Sequence, residues 1–206
     1  MEDAQRLFLI FIGAMLVWNM VLIRFFALCS FVGVSQRMET SIGMSLAVIF
    51  VTVMATALSW LLWKFLLTPL GIGEFLYIPS FILVIAALVQ FEEMLIKKTS
   101  PLFYRAVGIY LPLITTNCAV LAIAIEGVKP GFMKLNIVYN FSFIEAVIFA
   151  FGASLGYGLA MVMFSAIRER LETAPIPAAL RGYPLVFITA ALMSLAFVGF
   201  GGLFGL

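Results

Sequence analysis

The 206-residue chain carries 12 basic and 10 acidic residues, contains no histidine, and is 65% hydrophobic. A mean hydropathy of +1.20 excludes an ordinary soluble domain, in which about a quarter of the residues are charged. The lack of histidine excludes every site that needs an imidazole from this chain: a histidine-containing catalytic triad, a haem held by histidine and a zinc ion bound by histidine. A net charge of +2 gives no electrostatic basis for nucleic-acid binding. We therefore expect an all-α integral membrane protein with a single transmembrane domain over residues 1–206.

Six apolar segments predict six transmembrane helices, since a helix crosses the bilayer in about 20 residues. The first segment covers residues 7–36 and is too long for one simple helix. The other five are charge-free stretches over residues 40–63, 75–91, 106–125, 146–167 and 182–206. Met1 is followed by Glu2 and Asp3 rather than by basic residues, so we expect the first segment to be retained and not cleaved as a signal peptide.

Basic residues near the ends of the spans predict the orientation, because they collect on the cytoplasmic side. Seven follow the first, third and fifth spans, and four lie on the opposite side. The seven are Arg37, Lys97, Lys98, Arg105, Arg168, Arg170 and Arg181, and the four are Arg6, Lys64, Lys129 and Lys134. We therefore expect both termini on the outer side of the membrane.

Two sequence matches predict an internal repeat. Ser41-Ile-Gly-Met-Ser-Leu-Ala47 of the second span aligns with Ser154-Leu-Gly-Tyr-Gly-Leu-Ala160 of the fifth, and Ile85-Ala-Ala-Leu88 of the third aligns with Thr189-Ala-Ala-Leu192 of the sixth. Because each half holds three spans, the halves enter the membrane from opposite sides. We predict two inverted three-helix repeats, over residues 5–97 and 102–206; the alternative is chance similarity among the small residues that helix contacts favour.

The two cysteines lie in the corresponding first and fourth spans, both of which contain helix-disturbing residues. Arg24 precedes Cys29 and cannot rest unpaired in lipid. Pro112 precedes Cys118 and removes a backbone donor, and Thr115, Thr116 and Asn117 can bond the backbone locally. We therefore predict broken helices in spans one and four, which mark a binding site at the membrane midplane. On spacing alone, the alternative is that both cysteines are apolar packing residues.

Two thiolates are too few for a metal centre of the common thiolate types. A tetrahedral zinc site and an iron–sulfur cluster each take four ligands. If Cys29 and Cys118 bind metal, another chain must supply two more cysteines, and that chain would be a second copy or a homologue. A [2Fe-2S] cluster between the two would make this chain half of a redox site.

Strings around these residues resemble the A-type membrane proteins of the Rnf electron-transport complexes. They are Leu28-Cys-Ser-Phe-Val-Gly-Val-Ser35, Met38-Glu-Thr-Ser-Ile-Gly-Met44, Lys98-Thr-Ser-Pro-Leu-Phe-Tyr-Arg105, Leu111-Pro-Leu-Ile-Thr-Thr-Asn-Cys-Ala119, Ala166-Ile-Arg-Glu-Arg-Leu171 and Ala191-Leu-Met-Ser-Leu-Ala-Phe197. The resemblance runs from residue 7 to the end. The related E-type protein of the sodium-pumping NADH:quinone reductase has Thr-Val-Asn-Cys where this chain has Thr-Thr-Asn-Cys118. The chain departs from the Rnf pattern at Ser30, where Pro is frequent, and at Gln36-Arg37, which replaces a Lys-Lys pair.

The resemblance implies a membrane subunit that catalyses nothing alone, within a complex coupling electron flow between ferredoxin and NAD to Na⁺ or H⁺ movement. It implies a [2Fe-2S] cluster held by Cys29, Cys118 and two cysteines of a homologous E-type subunit of opposite orientation. Further implied partners are flavin- and iron–sulfur-containing Rnf subunits in the bacterial inner membrane, which would put both termini in the periplasm. Candidates for residues that tune the cluster or line an ion path are Asn19, Arg24, Thr115, Thr116 and Asn117.

Three other functions fit parts of the pattern. The nearest is the E-type subunit of the sodium-pumping reductase. A secondary transporter or channel subunit would also have inverted repeats with broken helices, but the span interiors hold few polar groups and no acid except Glu145 near a span end. A cofactor-free assembly scaffold would tolerate Ser at both cysteines. Bound iron favours the redox function, and solute uptake by the chain alone favours the transporter.

Overall fold

The structure, a computed structural model, describes residues 2–70, 73–99, 111–128, 142–175, 177 and 182–203. Within these ranges every regular element is helical and no strand occurs. The helices are α1 (Glu2–Ile12), α2 (Leu28–Val34), α3 (Met38–Leu62), α4 (Thr68–Leu70), α5 (Gly73–Thr99), α6 (Leu111–Thr115), α7 (Cys118–Val128), α8 (Phe143–Glu172) and α9 (Tyr183–Leu203). Two π-helical segments, Gly13–Val17 and Trp63–Leu67, continue α1 and α3.

Several of these helices have the length and composition of membrane spans. Among the described residues, Met38–Leu67, Leu76–Met94 and Phe143–Glu172 are long and apolar enough to cross a bilayer. Gln5–Val17, Leu113–Val128 and Tyr183–Gly199 are apolar but shorter. Large apolar side chains on the outside include Phe65, which is 73% exposed, and Leu83 and Leu195, which are 70% exposed. These observations confirm an all-helical architecture with several helices of membrane-spanning length.

The helix boundaries differ from the predicted spans where charged residues begin. α5 continues to Thr99, beyond the predicted span 75–91, and α8 continues to Glu172, so Lys97, Lys98, Arg168 and Arg170 are helical rather than in loops. A helix can leave the apolar layer without ending, because long charged side chains suit a helix exposed to water. The predicted features at Pro101, Arg105, Lys129, Lys134 and Arg181 lie outside the described residues.

The centre of the protein is the packing of α3 against α8. Met44 and Val51 of α3 and Tyr157 and Phe164 of α8 have no exposed surface. Three buried hydroxyls of α3, those of Ser45, Thr52 and Thr56, donate to a carbonyl one turn earlier in the helix at 2.7, 2.6 and 2.8 Å. These bonds satisfy the hydroxyls without water, which an apolar surrounding requires.

Glycines of α8 bring its backbone against the first helical segment. A Cβ at Gly152 would lie 2.8 Å from the Phe11 carbonyl oxygen, and one at Gly156 would lie 2.6 Å from the Met15 carbonyl oxygen. Contacts this short leave no room for any other residue type. Small residues one turn apart are a common means of close helix packing in membranes.

The start of α8 is fixed by a capping box at Ser142 and Glu145. The Ser142 backbone N–H donates to Glu145 Oε2 at 2.9 Å, and Glu145 Oε1 lies 3.4 Å from Arg6 Nε. Glu145 therefore caps α8 and ties it to α1. The Ser-x-x-Glu spacing is a readable signal for this helix start, although the sequence-based prediction treated Glu145 only as an acid near a span end.

Candidate functional site

The first apolar segment is interrupted at residues 18–27, which we call the first break. Asn19 is fully buried at its start; its Oδ1 accepts the N–H groups of Val21 at 3.1 Å and Leu22 at 3.3 Å. Its Nδ2 donates to the Gly156 carbonyl oxygen at 2.8 Å. The predicted interruption is thus present, and Asn19 opens it by taking the place of backbone partners.

Neighbouring groups make further contacts with the first break. The Ser194 hydroxyl of α9 donates to the Leu22 carbonyl oxygen at 2.6 Å. The Arg24 guanidinium is half-buried and its Cζ lies 4.7 Å from the centroid of the Trp18 ring, a cation–π contact. Phe25 and Ala27 have φ values of 57° and 61°, in the left-handed region that residues with a side chain rarely adopt. The backbone therefore turns sharply just before α2.

The fourth apolar segment is interrupted at residues 116–117, between α6 and α7. We call this turn the second break. Asn117 is 2% exposed, and its Oδ1 accepts the Ala119 N–H at 3.0 Å, which caps the start of α7. Thr115 is half-buried at the end of α6, and Thr116 is exposed in the turn. The helix interruption predicted from Pro112 to Asn117 is present.

The two breaks meet at the cysteines. The Ala27 N–H donates to Cys118 Sγ at 2.9 Å, although the two residues are 91 positions apart in the chain. Cys29 lies in the first turn of α2 and Cys118 is the first residue of α7. Both thiols are free and exposed. Neither thiol is therefore enclosed by the described part of this chain.

Two buried hydroxyls contact each other at Ser30, the residue after Cys29. Ser30 Oγ and the Tyr157 hydroxyl oxygen are 3.0 Å apart, and neither residue has exposed surface. From sequence, Tyr157 was placed only within a repeat motif, because a tyrosine among glycines and alanines looks like a packing residue.

Arg168 of α8 holds the far end of α2. Its Nη1 donates to the Val32 carbonyl oxygen at 2.8 Å and to Ser35 Oγ at 2.7 Å. A cation at the carboxyl end of a helix is favoured by the helix dipole as well as by these bonds. Arg168 was predicted only as an orientation signal; a basic residue within a helix after a long apolar stretch is a signal that it has a partner inside the protein.

Comparison with known proteins places the chain in a family. A family model described as "Rnf-Nqr subunit, membrane protein" matches residues 7–204. The chain belongs to the Rnf-Nqr family. It is 50% identical over 199 residues to the A-type subunit of the ion-translocating oxidoreductase complex of Syntrophotalea carbinolica, covering 97% of this chain and 98% of the relative. It is 52% identical over 195 residues to the protein of the same name from Pseudoalteromonas atlantica, covering 95% and 96% of the two chains.

Within this Rnf-Nqr chain, the predicted site residues have separate positions. Asn117 lies beside Cys118 and starts its helix, so it belongs to the cysteine site. Asn19 joins the first break to α8, and Arg24 lies over an aromatic ring. Among the described residues, no group of three His, Cys, Asp or Glu side chains is placed to hold a metal ion.

Proposed function

We propose that this chain is the A-type membrane subunit of an ion-translocating oxidoreductase complex of the Rnf kind and catalyses no reaction alone. Its relatives bear that subunit's name and match it over nearly their whole length. The observation that carries the proposal is the contact between the Ala27 N–H, two residues before Cys29, and Cys118 Sγ at 2.9 Å, which joins the two breaks next to two free and exposed thiols. The complex would lie in the bacterial inner membrane, with both termini of this chain in the periplasm.

The donor set fits half of a [2Fe-2S] cluster. Thiolates are the ligands that such clusters take, and a complete set is four. Cys29 and Cys118 supply two, and their exposure lets two cysteines of a second protein reach the same metal centre. The partner we propose is a homologous E-type subunit of opposite orientation; flavin- and iron–sulfur-containing subunits would complete the complex. When bound, the cluster supplies a one-electron carrier within the membrane.

The packing of α3 on α8 supports two inverted repeats. Ser45 and Gly158 occupy the same place in the two matched strings, and a Cβ at Gly158 would lie 3.3 Å from the Ser45 Cβ. Equivalent residues meet each other only on a two-fold axis. The same alignment pairs Thr52 with Ser165, and both have no exposed surface. We propose that the axis passes between Ser45 and Gly158, and that six spans are arranged around it.

Coupling to ion movement follows from charge in a medium of low dielectric constant. An electron added at the site of Cys29 and Cys118 makes the site more negative. The binding of Na⁺ or H⁺ nearby is then more favourable than before reduction. The polar groups at the breaks, on Asn19, Thr116 and Asn117, are the ones this chain offers for a cation path toward the thiols. Electrons would pass between a donor on the inner side and a flavin subunit on the outer side.

The test is the iron content and the reduced-state EPR spectrum of the complex purified with Cys29→Ala or Cys118→Ala. We expect each variant to lose the [2Fe-2S] signal, because three remaining cysteines do not complete a four-thiolate site. Gln36→Ala is the matched control, since Gln36 is exposed just beyond α2 and should leave the signal unchanged.

A signal of normal intensity in both cysteine variants would overturn the assignment. Uptake of a labelled solute by the purified chain without iron would point instead to a transporter. Loss of iron in both variants, with the subunits still purifying together, would support the shared cluster.

A further inference from the structure

We call the hydroxyl groups of Ser30 and Tyr157 the hydroxyl pair. The donor and the acceptor of the hydrogen bond between them can be assigned. The Ser30 hydroxyl carries one hydrogen and donates it to the Ala27 carbonyl oxygen at 3.0 Å. In the 3.0 Å contact between the two hydroxyls, Tyr157 is then the donor and Ser30 the acceptor. The chain of bonds runs from Tyr157 to Ser30 and ends on Ala27.

Ala27 is the residue whose N–H touches Cys118. Its φ of 61° is in the left-handed region, which an alanine adopts only when its surroundings hold it there. The bond from Ser30 acts on the carbonyl of Ala27, and the 2.9 Å bond to Cys118 Sγ comes from the N–H of the same residue. The Ala27 carbonyl oxygen also accepts the Phe31 N–H at 3.0 Å, so the hydroxyl pair and the first turn of α2 together hold the conformation that points the Ala27 N–H at the sulfur.

A packing role alone does not account for the hydroxyl of Tyr157. The residue has no exposed surface, and a buried hydroxyl is costly unless it is bonded. Phenylalanine would fill the same space, as Phe164 does two turns later on α8 with its ring centroid 4.3 Å from that of Phe31. What the Tyr157 oxygen adds is its bond to Ser30.

We propose that the hydroxyl pair sets the reduction potential of the metal centre at Cys29 and Cys118 by holding the Ala27 N–H on the Cys118 sulfur. The inference rests on the proposed function. One-electron reduction adds one negative charge to the centre, and no bond to these residues forms or breaks. An N–H directed at a ligand sulfur stabilises that charge, and hydrogen bonds to sulfur are a known determinant of cluster potential. Ser30 and Tyr157 are therefore positioning residues.

The experiment is a redox titration of the purified complex followed by EPR, with wild type, Tyr157→Phe, Ser30→Ala and the double variant. We expect Ser30→Ala to weaken reduction by about tenfold in the equilibrium constant, a shift of about 59 mV to lower potential for a one-electron couple. Tyr157→Phe should shift it in the same direction by less. The double variant should match Ser30→Ala, because Tyr157 acts through Ser30.

Two further variants separate this effect from general disturbance. Ser154→Ala removes a buried hydroxyl of α8 that bonds only within its own helix, to the Phe151 carbonyl oxygen at 3.0 Å, and should leave the potential unchanged. Ser30→Thr keeps a hydroxyl at the same position and should leave the potential close to the wild-type value.

A second measurement reads the hydrogen bond directly. With nitrogen-15 alanine in the complex, pulsed EPR of the reduced centre should detect an amide nitrogen coupling that weakens in Ser30→Ala. Unchanged potential and unchanged coupling in Ser30→Ala and Tyr157→Phe, with the signal at full intensity, would overturn the inference. Absence of any cluster signal in the wild type would overturn the proposed function instead.

Discussion

Asn19 illustrates how one side chain can replace several backbone partners inside a membrane protein. Its amide makes three bonds, one to the Gly156 carbonyl and two from the Val21 and Leu22 N–H groups, while the residue itself has no exposed surface. An interrupted helix in an apolar surrounding needs such substitutes, because water is absent and each orphaned group is costly. Asn19 therefore determines where α1 and its π-helical continuation can end.

We predict that Asn19→Leu, which keeps the size and loses all three bonds, lowers the free energy of unfolding by about 3 kcal/mol, because two buried N–H groups lose their acceptor. The thermal stability of the purified complex in detergent measures this change. Gln90→Leu is the control, since it replaces an exposed amide on α5 and should change stability little. Equal melting temperatures for Asn19→Leu and wild type would contradict the role of Asn19.

At the scale of elements, the position of α8 depends on two glycines, because they have no Cβ atom. Gly152 and Gly156 let the carbonyls of Phe11 and Met15 approach to distances that a Cβ would occupy. The same helix carries Tyr157 next to Gly156 and Arg168 near its end, where it bonds Val32 and Ser35. A displacement of α8 would therefore move α2 and Cys29, because Tyr157 contacts the start of α2 and Arg168 bonds its end.

Two glycine substitutions give opposite expectations. Gly156→Ala should destabilise the protein by about 1–3 kcal/mol, because the new Cβ would lie 2.6 Å from the Met15 carbonyl oxygen. Gly199→Ala in α9 has no atom within 4 Å of its Cβ, and should stabilise by about 0.5–1 kcal/mol through the higher helix propensity of alanine. Melting temperatures of the two variants, measured side by side, test the assignment, and a stable Gly156→Ala would count against it.

At the scale of the whole molecule, local signals and distant contacts contribute differently to what a sequence reveals. Pro112 and Asn117 marked the second break because helix disruption is a local property of the residues involved. The bond from Ala27 to Cys118 joins positions 91 apart, and no local pattern contains it. Tyr157 was missed for the same reason, since its partner Ser30 lies 127 positions away. The resemblance to a family indicated the two cysteines as site residues, but it did not indicate the hydroxyl pair.

The orientation of the whole chain is a separate prediction. The excess of basic residues after the odd-numbered spans predicts that both termini lie in the periplasm. Alkaline phosphatase fused to the carboxyl terminus should therefore be active, and green fluorescent protein at the same place should be dark. Fusions truncated after Lys98 should give the reverse result, and the same outcome at both fusion points would contradict the orientation.

The exposure of the two thiols has a consequence for biogenesis. A metal centre that needs two cysteines from each of two proteins cannot be completed on a newly inserted single chain, so cofactor loading has to follow the meeting of the subunits. If Cys29 and Cys118 hold such a centre, as proposed, they stay open to oxidation and to stray metal ions until then, because no part of the described chain covers them. Under the proposed function, unequal synthesis of the two subunits would leave apoprotein in the membrane, and the iron content per chain would report how much of it has found its counterpart.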